Sequence, residues 1–128
     1  LLDGALSHNA PPGFRHRFVD VAVTDAARRS PWFATLSPGT TLHLPMAHGE
    51  GRYDHAGDDD EIAARVPLRY TENPNGSRAS IAALLDPTGR VLGVMPHPER
   101  AIDPLLGSAD GLQLFTAAAA YCAAPGAA

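Results

Sequence analysis

Two short apolar runs, Ser80 to Leu85 (SIAALL) and Arg90 to Met95 (RVLGVM), flank the tetrapeptide Asp86-Pro87-Thr88-Gly89. Runs of this length around a turn signal predict a β-hairpin with a four-residue connection. Both arms are mostly apolar on both faces, which is the pattern of strands buried from two sides. Such a sheet needs a layer packed on each face, and that requirement constrains the rest of the chain.

The remaining sequence supplies strands more readily than cover. Phe14 to Val23 (FRHRFVDVAV), bounded by Pro12-Gly13, predicts a strand whose alternation changes phase between Phe18 and Val19, the mark of a bulge or an edge. Thr41 to Met46 predicts another, with Pro45 assigning it to an edge or to the end of a ladder. Val66 to Thr71 reads as a brief strand, Asp58 to Arg65 as a short helix with an acidic first turn, and Asn73-Pro74-Asn75-Gly76-Ser77 as a turn. A last helix is predicted over 109–124, with Ser108 as N-cap and Leu112, Phe115, Ala119 and Cys122 as its core-facing stripe. Residues 1–124 thus read as part of a single α/β domain and 125–128 as a disordered tail. The helices are too few to cover the strands, so the expectation is a portion of a larger α/β architecture.

Composition narrows the function. Hydrophobic residues make up 45% of the 128 residues, enough for a real core. Fourteen acidic residues against ten arginines, with no dense basic run, argue against a nucleic-acid surface. There is no apolar run long enough for a membrane span. The single cysteine, Cys122, excludes a disulfide framework or a multi-cysteine metal site, and a reducing, cytoplasmic setting is the expectation.

Two segments concentrate chemically capable residues directly after predicted strands, where α/β folds bind ligands. In Met95-Pro96-His97-Pro98-Glu99-Arg100, His97 and Glu99 are two apart, so their side chains can point the same way. A histidine beside a carboxylate is the base-and-orienter part of a nucleophilic triad, and the bland alternative is a surface pair. In Ala47-His48-Gly49-Glu50-Gly51-Arg52-Tyr53 the same H-x-E spacing recurs between glycines. His48, Glu50, His97 and Glu99 together would suit a metal-dependent hydrolase, and the glycines equally suit close backbone approach to a ligand or partner. Cys122, in the predicted core stripe with no glycine-rich elbow before it, reads as an inert packing thiol.

AHGEGRY (47–53), GVMPHPERA (93–101) and LLGSADGLQLF (105–115), with LLDGAL at the start and ENPNGS at 72–77, resemble the glutaminase subunits of phosphoribosylformylglycinamidine synthase, of the small separate-subunit type. The resemblance implies a class I glutamine amidotransferase, flavodoxin-like, with a central and largely parallel sheet. It implies hydrolysis of glutamine to supply ammonia for converting formylglycinamide ribonucleotide to the formylglycinamidine in purine biosynthesis. It assigns His97 and Glu99 as the triad histidine and glutamate, and His48, Gly49, Glu50, Gly51 and Arg52 as a substrate-loop or partner-facing segment. No cofactor or metal is implied for this chain; ATP and Mg belong to the synthetase subunit, its partner together with a small accessory subunit. The family's nucleophilic cysteine lies in a G-x-C-N-G-type elbow upstream of the stretch matching LLDGAL. The expectation is therefore the C-terminal portion of such a domain, lacking the nucleophile and inactive alone. The alternative is an inactive binding module that docks on the synthetase subunit.

Overall fold

The computed structural model describes residues 2–124 and Gly126, so the expected tail at 125–128 lies, apart from Gly126, outside the described residues. Five strands form the main sheet: β2 (Arg15–Val23), β3 (Thr41–His48), β5 (Leu68–Tyr70), β6 (Ile81–Leu85) and β7 (Leu92–Val94), in the order β3-β2-β5-β6-β7. A second, two-stranded sheet pairs β1 (Ala5–Ser7) with β4 (Arg52–Asp54). The helices are α1 (Asp59–Ala63) and α2 (Leu112–Ala123), and none is long and apolar enough to cross a membrane among the described residues.

The predicted hairpin forms, with Ala83 opposite Val94 and Leu85 opposite Leu92. Its turn is closed by Gly89 N–H donating to the Asp86 carbonyl at 3.0 Å. The Asp86 carboxylate accepts from Val91 N–H, the Thr88 hydroxyl and Arg90 N–H, and these bonds hold its pKa down to about 2. Gly89 has φ +73°, and a Cβ there would lie 2.4 Å from the Arg29 carbonyl oxygen, so the position needs glycine twice over.

Every pairing in the main sheet is antiparallel, where the resemblance leads one to expect largely parallel strands. A parallel pair needs a crossover of a dozen or more residues, normally a helix. The connections within 66–95 are too short for one. The phase change at Phe18 is not a bulge, because β2 runs in unbroken register against β3 from Arg15↔His48 to Ala22↔Thr41. Instead β2 lies inside the sheet with Val19, Val21 and Val23 buried, while Phe18 stacks on His43 across the strand pair. The one register shift falls between Leu68 and Arg69. Pro45 does sit on an edge strand, β3.

β6 is buried at all five positions and joins two apolar clusters. The larger gathers Val21, Phe33, Leu42, Leu44, Met46, Leu68 and Leu114; the smaller gathers Tyr53, Ile62, Val66, Ile81 and Leu84. Part of the missing helical cover comes from two 3-10 turns, Asp25–Arg29 and Pro31–Phe33, the second capped by Ser30 Oγ accepting from Trp32 N–H at 3.3 Å.

The stripe predicted for the last helix is corrected. Leu112, Phe115 and Cys122 are exposed, and Leu114 and Ala117 are the buried residues. Gly111 decides the helix's orientation: a Cβ there would sit 2.0 Å from the Pro98 carbonyl oxygen, so the helix start is pressed against the segment after β7. Ser108 caps a preceding turn through Asp110 N–H (3.1 Å) instead of the helix.

β3 and β7 are opposite edges of the sheet, yet His97, three residues past β7, donates its N–H to the Pro45 carbonyl of β3 at 2.7 Å. Five flat strands at about 4.8 Å spacing would put those edges ~19 Å apart, beyond the ~10 Å that three extended residues span. The sheet is curled, and the candidate histidine stands where its two edges meet.

Candidate functional site

The segment after β7 is positioned by backbone bonds at each step. Met95 N–H donates to Ala82 O (3.0 Å), His97 N–H to Pro45 O, and Pro98–Arg100 forms a 3-10 turn closed by Arg100 N–H on His97 O at 3.1 Å. This turn, rather than the extended backbone expected, brings the two side chains together: His97 Nδ1 lies 2.7 Å from Glu99 Oε1. Partial burial pushes the Glu99 carboxyl upward, but the bond from its own N–H, the bond to His97 and the charges of His97 and Arg100 outweigh it and hold the group below the usual carboxylate range. An ionised Glu99 takes the Nδ1 proton as a hydrogen bond, which leaves the His97 Nε2 lone pair free. The side chains remain 31% and 54% exposed, so a substrate can reach them. They open onto a cleft of about 340 Å³ walled by Trp32, Leu92, Val94, Leu114 and Phe115. A base with a fixed tautomer at the mouth of an apolar cleft is equipped for proton transfer to and from a bound substrate.

The second H-x-E segment folds differently. His48 ends β3 with its ring turned inward, and Gly51 makes room for it, since a Cβ at residue 51 would lie 2.3 Å from the imidazole. Asn9, fully buried, fixes the ring. Its Nδ2 donates to Gly13 O (2.9 Å) and His48 O (2.8 Å), so its Oδ1 must be the atom 3.1 Å from His48 Nδ1. His48 therefore carries its proton on Nδ1, and its Nε2 is buried without a hydrogen-bond partner among the described residues. Burial first, then the charges of His97 and Arg15, outweigh a backbone bond and lower the His48 pKa. Glu50 points to solvent and lies 3.3 Å from His8. Arg52 starts β4, its backbone paired with Ser7. The four residues weighed as a metal quartet do not converge: among the described residues no three His, Cys, Asp or Glu side chains group closely enough to hold an ion.

The residues that sequence reasoning missed are Asn9, Asn75 and Ser77, all buried. Asn75 Nδ2 reaches Asn9 Oδ1 at 3.4 Å and its own Oδ1 accepts from the Ser77 hydroxyl at 2.8 Å, while Ser77 Oγ accepts from Tyr53 N–H at 3.1 Å. This network ties the 73–77 turn to the 48–53 loop. The Asn-Pro-Asn-Gly-Ser turn was a visible signal for two of the three, whereas nothing local marked Asn9. Cys122 is exposed, against the packing role expected for it, and lies two helical turns beyond Phe115, or ~10 Å along the axis. It is not among the residues lining the cleft.

Over residues 3–122 the chain matches the CobB/CobQ-like glutamine amidotransferase domain family. It is 48% identical over 120 residues to the phosphoribosylformylglycinamidine synthase subunit PurQ of Synechococcus elongatus, covering 90% of this chain and 52% of that one. The PurQ subunit of Thermomicrobium roseum is 43% identical over 127 residues, covering 90% and 53%, and that of Pyrobaculum aerophilum 44% over 117, covering 90% and 51%. Among solved structures, a chain of PurLQS from Thermotoga maritima superposes with a TM-score of 0.86 at 38% identity, covering 95% of this chain and 54% of that chain. The chain thus spans about half the length of the curated relatives it matches. The mixed α/β fold is that of the class I glutamine amidotransferases. With sequence and fold agreeing over nearly all of its residues, the chain belongs to the family of CobB/CobQ-like glutamine amidotransferase domains.

Proposed function

We propose that this chain supplies the base-and-orienter half of a PurQ-type glutaminase, which feeds ammonia to a synthetase subunit making formylglycinamidine ribonucleotide in the cytoplasm. The observation that carries the reading is the 2.7 Å His97–Glu99 pair at the mouth of an apolar cleft. In this reaction a cysteine thiolate attacks the side-chain amide of glutamine. His97 Nε2 takes the proton of the cysteine thiol as the thiolate forms, gives it to the departing ammonia, then removes one from the water that hydrolyses the thioester and returns it to the cysteine sulfur. Glu99 keeps the Nδ1 proton in place and stabilises the imidazolium each time Nε2 holds a proton. The only cysteine of the 128 residues, Cys122, lies in Ala-Tyr-Cys-Ala with no elbow and outside the cleft lining. The nucleophile is therefore assigned to the part of the PurQ-type subunit that these residues do not match. ATP and Mg are used by the synthetase subunit, and a small accessory subunit completes the assembly.

The test is a completed subunit: the portion of the Synechococcus elongatus PurQ that this chain does not match, joined to this chain and mixed with the synthetase subunit of that organism. Glutamine-dependent synthesis by the completed subunit, with none from the 128 residues alone, is expected. Ammonia-dependent synthesis with no gain from glutamine in the completed, folded subunit would refute the proposal.

A further inference from the structure

Three large apolar side chains fall within six residues of the dyad's own segment and stay in solvent: Ile102 at 44%, Leu105 at 94% and Leu106 at 53% exposure. Lone exposed leucines are ordinary, but these sit on a turn that is held stiff. Asp103 Oδ1 accepts from Leu105 N–H at 2.9 Å, Leu106 N–H donates to Asp103 O at 2.9 Å, and Gly107 N–H to Pro104 O at 3.0 Å. Gly107, at φ +105°, rests against the Phe18 ring so closely that a Cβ would lie 2.8 Å from it. Farther on, Asp110 Oδ2 accepts from His43 N–H at 2.8 Å, strapping the segment to β3, the strand whose Pro45 holds His97. The tip leucine is thus presented in one conformation, so little ordering entropy opposes its insertion into a partner.

We infer that the 102–106 turn is the anchor by which this chain docks on the synthetase-type subunit, Leu105 entering an apolar socket beside the glutaminase site. The inference rests on the proposed function and names the surface it uses. Three observations favour this occupant. Leu105 stands almost fully in solvent and lines neither cavity, so it fits a socket on a folded protein rather than holding a small molecule. The stretch 99–110 carries Glu99, Asp103 and Asp110 against Arg100 alone, which disfavours an anionic lipid surface. The PurLQS chain that this one superposes on over 95% of its length is a member of a multi-subunit assembly. Docking at this turn places the partner against the segment that carries His97 and Glu99, where released ammonia would leave.

The test uses the completed subunit and the Synechococcus elongatus synthetase subunit, with affinity measured by titration calorimetry. Leu105→Ser is expected to weaken binding about tenfold or more, the loss of one buried leucine. Val91→Ser, at the exposed β6–β7 turn, serves as control and is expected to bind as the parent does. Unchanged affinity for Leu105→Ser beside a parent that binds overturns the inference and leaves the proposed function standing. A parent that does not bind at all overturns both. A fall in the melting temperature of the free Leu105→Ser subunit, or a shift from dimer to monomer in sedimentation, would assign the leucine to the subunit's own interior or to a second copy, and either result overturns the inference.

Discussion

The same three-residue pattern, histidine-any-glutamate, closes one strand of this molecule and follows another, and is used in opposite ways. After β7, the turn at 98–100 folds Glu99 back onto His97, giving a 2.7 Å pair at the mouth of a cleft. After β3, glycines on both sides of Glu50 send His48 inward to Asn9 and Glu50 outward to His8. Spacing alone does not make a dyad; the backbone between the two residues does. Prolines at 96 and 98 restrict the first segment to a turn with both side chains on one side, and Gly51 makes room for an imidazole in the second.

If the two segments differ as argued, the largest effects on catalysis belong to the first. In the completed subunit, His97→Ala is expected to lower glutamine-dependent synthesis about 10³-fold, the scale of losing a positioned general acid–base. Glu99→Gln keeps hydrogen-bonding reach without the charge and is expected to cost about 10²-fold. Glu50→Gln is expected to leave the rate within about twofold. Synthesis from added ammonia should survive all three. A loss for Glu50→Gln as deep as that for Glu99→Gln would erase the contrast between the segments, and equal loss of ammonia-dependent synthesis would remove His97 and Glu99 from glutamine hydrolysis.

The second segment should instead dominate stability. Gly51→Ala drives a methyl group into the His48 ring, an overpacking expected to cost roughly 1–3 kcal/mol. Asn9→Ala strips partners from buried groups on three segments, and a loss of about 2 kcal/mol or more is expected. Urea unfolding of the completed subunit measures both. An alanine at 51 without cost would mean that the His48 ring does not occupy the position described.

How far each segment could be read from the sequence follows from where its partners lie. The His97–Glu99 pair is legible because both members, and the prolines that bend the chain, fall within six residues. The role of His48 is not, because Asn9 is 39 residues away and no local pattern announces a buried amide. The hairpin at 80–95 was legible from its turn chemistry and apolar arms. The last helix was located, but its buried face was misjudged, since Leu-Gln-Leu-Phe-Thr-Ala-Ala-Ala-Ala is nearly apolar all round and offers no period to read. A steric fact settled that face, the 2.0 Å approach that only Gly111 permits. The cover supplied by 25–33 was missed for a related reason, since 3-10 turns this short carry no amphipathic repeat.

The smallest effect is the response of the second segment's inward-turned histidine to acid. The folded chain holds the His48 pKa below its ordinary value, through burial and the neighbouring charges of His97 and Arg15. Above about pH 6.5 the imidazole is neutral both folded and unfolded, and it contributes no pH dependence. As the pH falls below that value the unfolded chain takes up a proton that the folded chain refuses. Stability therefore declines until the lowered folded pKa is passed, where the decline levels off. His48→Gln keeps a donor for Asn9 Oδ1 but does not titrate. Urea unfolding at pH 7.5 and pH 5.5 should thus show a smaller acid loss for His48→Gln than for the parent, with every other titrating group cancelling in the difference. Parallel pH dependence in parent and His48→Gln would show that the inward-turned imidazole is not kept neutral, and the two segments would then differ in geometry alone.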